Sequence, residues 1–549
     1  MKICLINPPT TAPDQEAYLP MALLALGGAL KQAGIACRVV DFDHLYRQGN
    51  CGDVESFLPH AVEILKQTQC DVFGITTICS NFPMAVLIAE ELKKHLPCCR
   101  IIMGGPQVSS VPTETLEAFS QVDCVVVGEG EQVLTRLLSG DYSGEHLASV
   151  PGICFRANHG IKRNAPQPLI NNLDDLPQPD YSLIDIHSYS ATREKGENQF
   201  SMSVEAGRGC PFHCTFCSTK HMWEQTFRVK SPERILSEME YLHHVYGFKH
   251  FGFIHDNFTT QRKFVFEFAD YMIGHNRLGL TWASSSRTDC IDAERLERLY
   301  QAGCRGLFFG VETASKKMQK VIHKNLKLDR FEPLIVWMNR HRLNATTAFI
   351  TGFPEETEDD LNATVLTAHK YKKLGACNVQ FSQLAALGGT ELLAKQEQYL
   401  YVHPEESSMA RDRLRIHRDR VDKLIIGHKR LFSAFYTVPT PHLPPLSLEG
   451  MGIFFGELIN KRLALLTLIF EKFGERPIDL FKKWHEWVSQ RNTSAKWYGG
   501  FHFLHLFPLF AHEQYFRQAL LKLQFPPPFM MSERSGLAII GKQISQPEI

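Results

Sequence analysis

The first 140 residues alternate short apolar runs with stretches of helical periodicity. The apolar runs contain few polar positions, which is typical of strands that are buried on both faces of a sheet. The alternation predicts an α/β domain whose parallel, doubly wound, Rossmann-like sheet is covered by helices on both sides. The predicted strands are KICLINP, CRVVDFD, DVFGITTI, RIIMGGP and CVVVGEGE.

A second series of strand and helix patterns begins at residue 199. It contains six candidate strands with helical stretches between them, and polar residues cluster just after the strands. Six such units predict a partial (β/α)6 barrel, an open version of the eight-fold barrel that carries its chemistry at the carboxyl ends of its strands. The candidate strands are 199–206, 250–256, 280–286, 306–312, 346–352 and 378–384.

These patterns predict four segments. Residues 1–148 form the Rossmann-like domain and 199–390 the barrel. Between them, 149–198 are rich in Pro, Asn and Asp, which predicts an ordered linker. Residues 391–549 predict a mainly helical carboxyl-terminal domain that contributes to the substrate pocket.

Composition excludes several classes of protein. The chain has 549 residues, 59 basic and 59 acidic side chains and 44% hydrophobic residues. This balance favours neither nucleic acid nor an acidic membrane surface as a partner. No apolar run reaches the ~18 residues of a membrane span, and the first residues lack a signal-peptide layout. We therefore expect a cytoplasmic protein without membrane insertion, whose fifteen cysteines are reduced.

Three of those cysteines lie close together in GRGCPFHCTFC, which follows the first predicted barrel strand. Cys210, Cys214 and Cys217 have the spacing C-x3-C-x2-C. Thiolates bind soft metals and iron–sulfur clusters. Three thiolates on a four-iron cluster leave one iron open, whereas a structural zinc site would need a fourth ligand. A coincidental trio and a three-thiolate zinc site are the alternatives.

The loop and its position after a barrel strand resemble the radical S-adenosylmethionine (SAM) superfamily. The resemblance implies that Cys210, Cys214 and Cys217 are the catalytic ligands of a 4Fe-4S cluster. It also implies that the open iron binds SAM, and that one electron cleaves SAM to methionine and a 5′-deoxyadenosyl radical. An external one-electron reductant, such as flavodoxin or ferredoxin, is implied as a partner.

The same resemblance implies SAM-binding residues. Phe216 fits the aromatic position beside the adenine. The other positions follow the second to fifth barrel strands, where an arginine suits a carboxylate because its guanidinium is always charged and bidentate. They are Asp256, Asn257, Arg287, Glu312 and Gly352.

The strand ends of the first domain carry small or flexible residues, where doubly wound folds bind ligands. Stretches such as IIMGGPQVSS and VDCVVVGEGE resemble the cobalamin-binding domain that precedes many radical SAM barrels. The D-x-H-x-x-G signature is absent, so no histidine is expected below the corrin; a domain that has lost the cofactor is the alternative. The implied cobalamin-binding residues are Pro8, Pro9, Thr76, Thr77, Gly104, Gly105, Gln107, Gly128, Glu129 and Gly130.

Two stretches of the tail stand out. Residues 411–430 are basic but interleaved with Asp and apolar positions, which favours a solvated helix packed on the barrel over an RNA or phosphate site. Residues 484–516 are rich in aromatic and histidine side chains. An aromatic helical core is favoured there over a wall of the substrate pocket.

The resemblance implies a cobalamin-dependent radical SAM enzyme, and methylation of an unactivated carbon is the activity we expect. Methylcobalamin, regenerated from hydroxocobalamin on reduction and methylation, would donate the methyl group to a radical of a natural-product, peptide or other small-molecule substrate. A cyclisation, ring contraction or rearrangement without methyl transfer, as in porphyrin cyclases, is the alternative. A non-catalytic cobalamin sensor is an alternative of another class.

Overall fold

The computed structural model describes residues 2–9, 18–158, 160–189, 201–402, 416–444 and 448–490. The first domain contains a seven-stranded sheet in the order β2-β1-β3-β4-β5-β6-β7. Strands β1 to β5 are parallel, and β6 and β7 are antiparallel additions. The strands are β1 (Lys2–Asn7), β2 (Ala36–Asp41), β3 (Val72–Thr76), β4 (Arg100–Gly104), β5 (Cys124–Val126), β6 (Ile153–Ala157) and β7 (Gly160–Arg163).

Helices cover both faces of this sheet, as the near-continuous apolar strands predict. One buried cluster packs α1 and α7 against one face, and a larger one packs α3 and α4 against the other. The doubly wound, Rossmann-like fold is thereby confirmed. The helices are α1 (Met21–Gln32), α2 (Phe42–Arg47), α3 (Phe57–Gln67), α4 (Phe82–His95), α5 (Pro106–Ser110), α6 (Pro112–Ala118), α7 (Gly130–Leu138) and α8 (Gly144–Ser149).

The linker begins later than the sequence indicates. Strands β6 and β7 lie within 149–198, yet they pair with β5 and extend the first sheet. The hairpin is short, and the exposed side chains of β7 make it look like loop sequence. The boundary at residue 148 is therefore wrong, and the first domain reaches at least Arg163.

The second sheet has six parallel strands in the order β15-β14-β13-β12-β11-β8, which confirms the partial barrel. Each overlaps its predicted strand. Two further short strands, β9 (Gly207–Arg208) and β10 (Arg228–Val229), pair antiparallel beside the cysteine loop. The barrel strands are β8 (Ser201–Glu205), β11 (His250–Ile254), β12 (Thr281–Ser286), β13 (Cys304–Glu312), β14 (Asn344–Thr351) and β15 (Asn378–Gln383).

Helices pack outside the barrel around one continuous apolar core. α10 shows why such segments are helical: Ser231 caps its first turn by accepting from Arg234 N, Pro232 occupies its start, and Gly247 ends it in the left-handed conformation. The helices are α9 (Thr219–Trp223), α10 (Pro232–Tyr246), α11 (Arg262–His275), α12 (Ala293–Gln301), α13 (Lys316–Val321), α14 (Glu332–Arg340) and α15 (Glu358–Leu374).

The described part of the carboxyl-terminal domain is helical, as predicted. One of its helices covers the open edge of the barrel: Asn460 accepts from Val379 N (3.0 Å) and donates to Val379 O (2.7 Å) on the edge strand β15. None of the described helices is long and apolar enough to span a membrane. The helices are α16 (Glu391–Gln396), α17 (Arg418–Gly427), α18 (Leu448–Lys461), α19 (Leu463–Thr467) and α20 (Pro477–Gln490), with a π-helical turn at Leu468–Lys472.

The basic helix α17 packs on the first domain, a partner that the sequence analysis did not name. It lies against α4 of the first domain, where Arg420 forms ion pairs with Glu90 and Glu91. The interleaved acidic and apolar positions predicted packing but could not identify the partner.

The aromatic stretch is only partly described. Trp484 is buried against Phe454 and Phe481, so this part of the stretch is core, as favoured. The predictions for Trp497 and for the histidines of the stretch beyond His485 lie outside the described residues.

The contact between Asn460 and the edge strand β15 is testable. Asn460→Ala leaves the N–H and C=O of Val379 without these partners, and an unsatisfied backbone pair of this kind costs about 1–3 kcal/mol. We expect a lower midpoint in urea unfolding followed by circular dichroism. Asn171→Ala, which removes an exposed side chain, is the matched control. Equal midpoints for both variants would contradict the cap.

Candidate active site

The cysteine loop is fixed by a close approach of two chain segments. A Cβ on Gly207 would lie 2.3 Å from Arg228 O, and one on Gly209 would lie 2.4 Å from Thr226 O. Gly209 also has a φ of +93°, which favours glycine. These glycines let β9 and β10 pair tightly, and the chain then turns into the loop at Cys210.

The three cysteines of the loop are half-buried, and all fifteen cysteines of the chain are free thiols, as expected. The Cys217 thiol donates to Thr219 Oγ1 at 3.1 Å. Burial raises the pKa of Cys210 to about 11. Burial also raises the pKa of Cys214, while the nearby Lys324 and Arg287 oppose that shift. The two cations therefore offset part of the effect of burial on the pKa of Cys214.

Arg287 and Glu312 lie near the cysteine loop, and their binding of SAM stays a prediction. The Arg287 guanidinium lies 3.7 Å from the centroid of the Phe212 ring, and its Nη1 lies 3.6 Å from Cys214 Sγ. Glu312 ends β13 with a φ of +66° and pairs with the buried Lys324, Nζ to Oε1 at 2.6 Å. Lys324 O in turn accepts from Arg287 Nη2 at 2.9 Å. The three residues form one connected group beside Cys214.

Asp256 and Asn257 hold the site together from within the protein. Asp256 accepts from Gly209 N (2.8 Å), so its carboxylate supports the cysteine loop. The Asn257 amide is buried; its oxygen accepts from Arg287 N at 3.2 Å and its nitrogen donates to Cys290 Sγ at 3.6 Å. The polar atoms of Asp256 and Asn257 named here already have partners within the protein. Direct contact of these two residues with SAM therefore stays a prediction.

Phe216 and Gly352 are joined through Phe353. The Phe216 and Phe353 rings pack edge to face with centroids 5.8 Å apart. Gly352 has a φ of +98°, and its N–H donates to Glu356 Oε2 at 2.7 Å. Glu356 is fully buried, and burial raises its pKa to about 8. A protonated Glu356 thus anchors the loop that supports Phe216.

A buried ion cluster joins the first domain to the barrel, and we call it the interdomain clamp. Arg208 donates to Glu129 (2.7 Å), Glu131 (2.6 Å) and Glu205 (2.7 Å). Arg228 donates to Glu129 at 2.9 Å. Burial alone lowers the pKa of Arg208, but the surrounding carboxylates, Glu131 first, raise it overall. The clamp stands two residues before Cys210, so it positions the cysteine loop against the first domain.

A largely apolar cavity of about 310 Å³ lies beside the clamp. Residues of α1, α7 and the strand ends of the first domain line one side. Glu205, Arg208, Trp223 and Ile254 of the barrel line the other. Six of the ten predicted cobalamin residues line this cavity: Thr76, Gly104, Gly105, Gly128, Glu129 and Gly130.

The other four predicted cobalamin residues are placed differently. Pro8 and Pro9 are buried at the end of β1, and neither lines the cavity. Thr77 is buried and donates to Gly104 O at 2.8 Å, while Gln107 donates to Leu431 O at 2.7 Å. Glu129 lines the cavity, but its carboxylate is committed to the clamp. Cobalamin contacts by these side chains stay predictions.

The residues present fit both implied cofactors. Three free thiols on one loop, next to two cations, suit an anionic iron–sulfur cluster. Among the described residues, no three His, Cys, Asp or Glu side chains converge on a single metal ion. The cavity is mostly apolar with a few charged groups at its edge, a type of lining that binds organic cofactors.

Comparisons with known proteins agree with the interpretation that both cofactors bind. Residues 204–368 match the model of the radical SAM superfamily, and 14–138 match the B12-binding domain. An uncharacterized methyltransferase of Pyrococcus horikoshii is 30% identical to this chain, and the match covers 71% of this chain and 82% of the methyltransferase. The anaerobic magnesium-protoporphyrin IX monomethyl ester cyclase of Synechocystis is 27% identical over 66% of this chain and 70% of its own.

A solved structure shows the same fold. The radical SAM methyltransferase TsrM of Kitasatospora setae matches with a TM-score of 0.60 at 18% identity, covering 81% of this chain and 86% of its own. The chain therefore belongs to the radical SAM superfamily, in the group that carries a B12-binding domain before the barrel. It is an enzyme whose cofactors are a 4Fe-4S cluster, SAM and cobalamin.

The sequence analysis did not identify several residues of the site. Lys324 lies among exposed lysines, and nothing in the pattern shows that it turns inward. Arg208, Arg228 and Glu131 pair across more than 75 residues of chain. Only Arg208 stands out in the sequence, because it is a charged residue two positions before a predicted metal-binding cysteine.

The clamp makes a stability prediction. Glu129→Gln leaves Arg208 and Arg228 buried with less compensation, and breaking a buried pair in this way costs about 3–5 kcal/mol. We expect earlier thermal unfolding and faster proteolysis between the domains. Glu145→Gln, at an exposed site, is the control. Unchanged unfolding and proteolysis of Glu129→Gln would contradict the clamp.

The buried carboxyl of Glu356 makes a pH prediction. Its folded pKa of about 8 lies above the ordinary value of 4.5, so the folded state holds the proton more tightly than the unfolded state. Stability should fall as pH rises between these values, by up to about 1.4 kcal/mol per pH unit from this group. Glu356→Gln should flatten that slope in urea unfolding at pH 5 to 8. Parallel slopes for wild type and variant would exclude the shift.

Proposed function

We propose that this chain methylates an unactivated carbon of a small-molecule substrate, using a radical generated from SAM and a methyl group carried by cobalamin. The observation that carries the proposal is the clamp. Arg208 lines the apolar cavity between the two domains and stands two residues before Cys210. The two cofactor sites are therefore neighbours that share one boundary, as methyl transfer between them requires.

In this proposal, the chain's own residues bind the cofactors and orient them. When bound, the cofactors supply one-electron cleavage of SAM and a transferable methyl group. Cys210, Cys214 and Cys217 hold the cluster, and Arg287 presents positive charge beside Cys214. Glu312, held by Lys324, presents an oxygen acceptor at the end of β13 for a polar group of SAM.

The barrel interior supports a substrate of modest size. Phe308 on β13 is 40% exposed and Ile254 on β11 is 43% exposed, both on the strand face opposite the helices. Gly252 on β11 leaves space on this face, because no atom lies within 4 Å of the place its Cβ would take. An apolar surface that the fold leaves open at the strand ends suits burial of a substrate carbon away from water.

Cyclisation without methyl transfer is the second candidate, and the likeness to the Synechocystis cyclase favours it. A methyltransferase is 30% identical and spans more of this chain, which supports methyl transfer first. A non-catalytic sensor has less support, because the cysteine loop and its cations are intact. A cytoplasmic, oxygen-poor setting and an external one-electron reductant remain part of the proposal.

Cofactor content is the first test. Anaerobic reconstitution with iron, sulfide and cobalamin should give about four irons and one cobalt per chain, measured by elemental analysis and absorption spectra. After addition of SAM and reductant, S-adenosylhomocysteine and 5′-deoxyadenosine should both accumulate once substrate is present. Four irons without cobalt, or 5′-deoxyadenosine without S-adenosylhomocysteine, would remove the basis for methyl transfer.

A cysteine variant provides the matched control. Cys214→Ala removes one of three cluster ligands and should lose most of the iron while retaining cobalt, because no cysteine of the loop lines the cavity. Cys98→Ala, at an exposed thiol away from the loop, should retain both metals. Loss of iron from both variants alike would contradict the assignment of the cluster to this loop.

A further inference from the structure

The barrel strands have one face toward the outer helices and one toward the barrel interior, and we call the second the lumen face. Successive side chains of a strand point to opposite faces of the sheet. Phe253 on β11, Phe309 on β13 and Phe349 on β14 are buried in the core beneath the helices, so their neighbours along each strand belong to the lumen face. The exposed lumen-face residues are all uncharged: Ile254, Ala283, Phe308, Asn344, Gln380 and Ser382.

An aromatic and an aliphatic side chain form the apolar part of the lumen face. Phe308 lies near the centre of the sheet, in register with Ser285 on β12 and Thr346 on β14. Ile254 lies on β11 and also lines the cavity beside the clamp, so the lumen face and the cavity meet there. An open aromatic ring of this kind is an anchor for a ring or another apolar group of a ligand.

The neutral polar groups lie at one side of this apolar part. Gln380 and Ser382 are on the edge strand β15, in register with Ala348 and Ile350 of β14. Their side chains form no hydrogen bond with the part of the chain that the structure describes. An amide and a hydroxyl both donate and accept hydrogen bonds without carrying charge. They therefore suit a hydroxyl, carbonyl or amide group of a ligand.

The charged side chains around the lumen face are already paired. Glu205, at the end of β8, forms an ion pair with Arg208 of the clamp. At the carboxyl ends of the strands, Lys324 pairs with Glu312, and Arg287 is also held in an ion pair. A charged group of a substrate would break one of these pairs or enter without a partner, and both are unfavourable.

We propose that the part of the substrate that enters the barrel is an uncharged ring system that packs on Phe308 and Ile254 and directs one neutral hydrogen-bonding group toward β15. This inference rests on the proposed function, because it names the substrate class of the same site. It excludes substrates whose reacting part carries a phosphate, carboxylate or ammonium group.

Equilibrium dialysis with three probes of one ring size tests the charge preference. The probes are 2-naphthol, which is neutral, 2-naphthoate, an anion, and 2-naphthylmethylammonium, a cation. Each is dialysed at neutral pH against the reconstituted holoenzyme with SAM and without reductant, and free probe is quantified by chromatography. We expect 2-naphthol to bind about tenfold more tightly than either ion, or better, because an ion would be buried without a partner. Equal or tighter binding of either ion, or no binding of 2-naphthol, would overturn the proposal.

A charge placed on the lumen face should reverse the preference. Phe308→Asp should weaken 2-naphthol binding about tenfold and make the ammonium probe the tightest of the three. Phe308→Leu keeps an apolar side chain and should retain the wild-type order. Leu366→Asp makes a similar change at an exposed site on α15 and is the control. Iron and cobalt contents and circular dichroism show whether each variant folds. The proposal is wrong if Phe308→Asp folds and keeps the wild-type order, or if Phe308→Leu loses it.

The polar side of the lumen face is tested with naphthalene, which lacks the hydroxyl. Gln380→Ala/Ser382→Ala should lose most of the advantage of 2-naphthol over naphthalene and leave the binding of naphthalene unchanged. Persistence of that advantage would overturn the assignment of the hydrogen-bonding group to β15.

These binding measurements separate the substrate class from the reaction. They contain no reductant and form no product, so the order of the probes does not depend on which reaction follows. A wild-type preference for 2-naphthol without S-adenosylhomocysteine in turnover would support the substrate class and contradict methyl transfer. Methyl transfer to a charged group would support the reaction and overturn the substrate class.

Discussion

The buried ion cluster between the two domains is the constraint on which the active site depends. Glu129 and Glu131 come from the first domain, and Arg208, Arg228 and Glu205 from the barrel region. Taking these charges out of water costs several kcal/mol per ion unless each finds good partners. The hydrogen bonds of 2.6–2.9 Å between them supply those partners. The domains therefore have one orientation that satisfies the cluster, and many that leave a charge unpaired.

The clamp extends into the barrel through a second set of contacts. Lys230 pairs with Glu238, which also accepts from the Tyr181 hydroxyl of the linker at 2.8 Å. The linker thus takes part in the same network as the cysteine loop. A change in the way the first domain sits would be felt at Cys210, because Arg208 is two residues away on a strand that glycines hold tightly against β10. Stability and cofactor geometry have a common origin here.

Local pattern predicted the elements well because strands and helices depend on periodicities that a short window contains. Strand β12, predicted at 280–286, is Thr281–Ser286. The same window failed for β6 and β7, whose pairing with β5 depends on a distant strand and on little apolar signal. The cysteine loop was visible because its three ligands are contiguous. Lys324 and Glu356 were not, because burial of a charged side chain is decided by neighbours far away in the chain.

The predicted cobalamin residues show how position and role separate. The pattern located the strand ends correctly, and six of the ten residues line one cavity. These residues have different roles, however. The glycines leave space, whereas the Glu129 carboxylate forms ion pairs with Arg208 and Arg228 of the barrel region. A buried carboxylate that two arginines hold is costly to redirect toward a neutral ligand. The glycines and apolar side chains of the cavity are therefore the ones left available to a ligand, while polar side chains of the strand ends hold together the domains that enclose it.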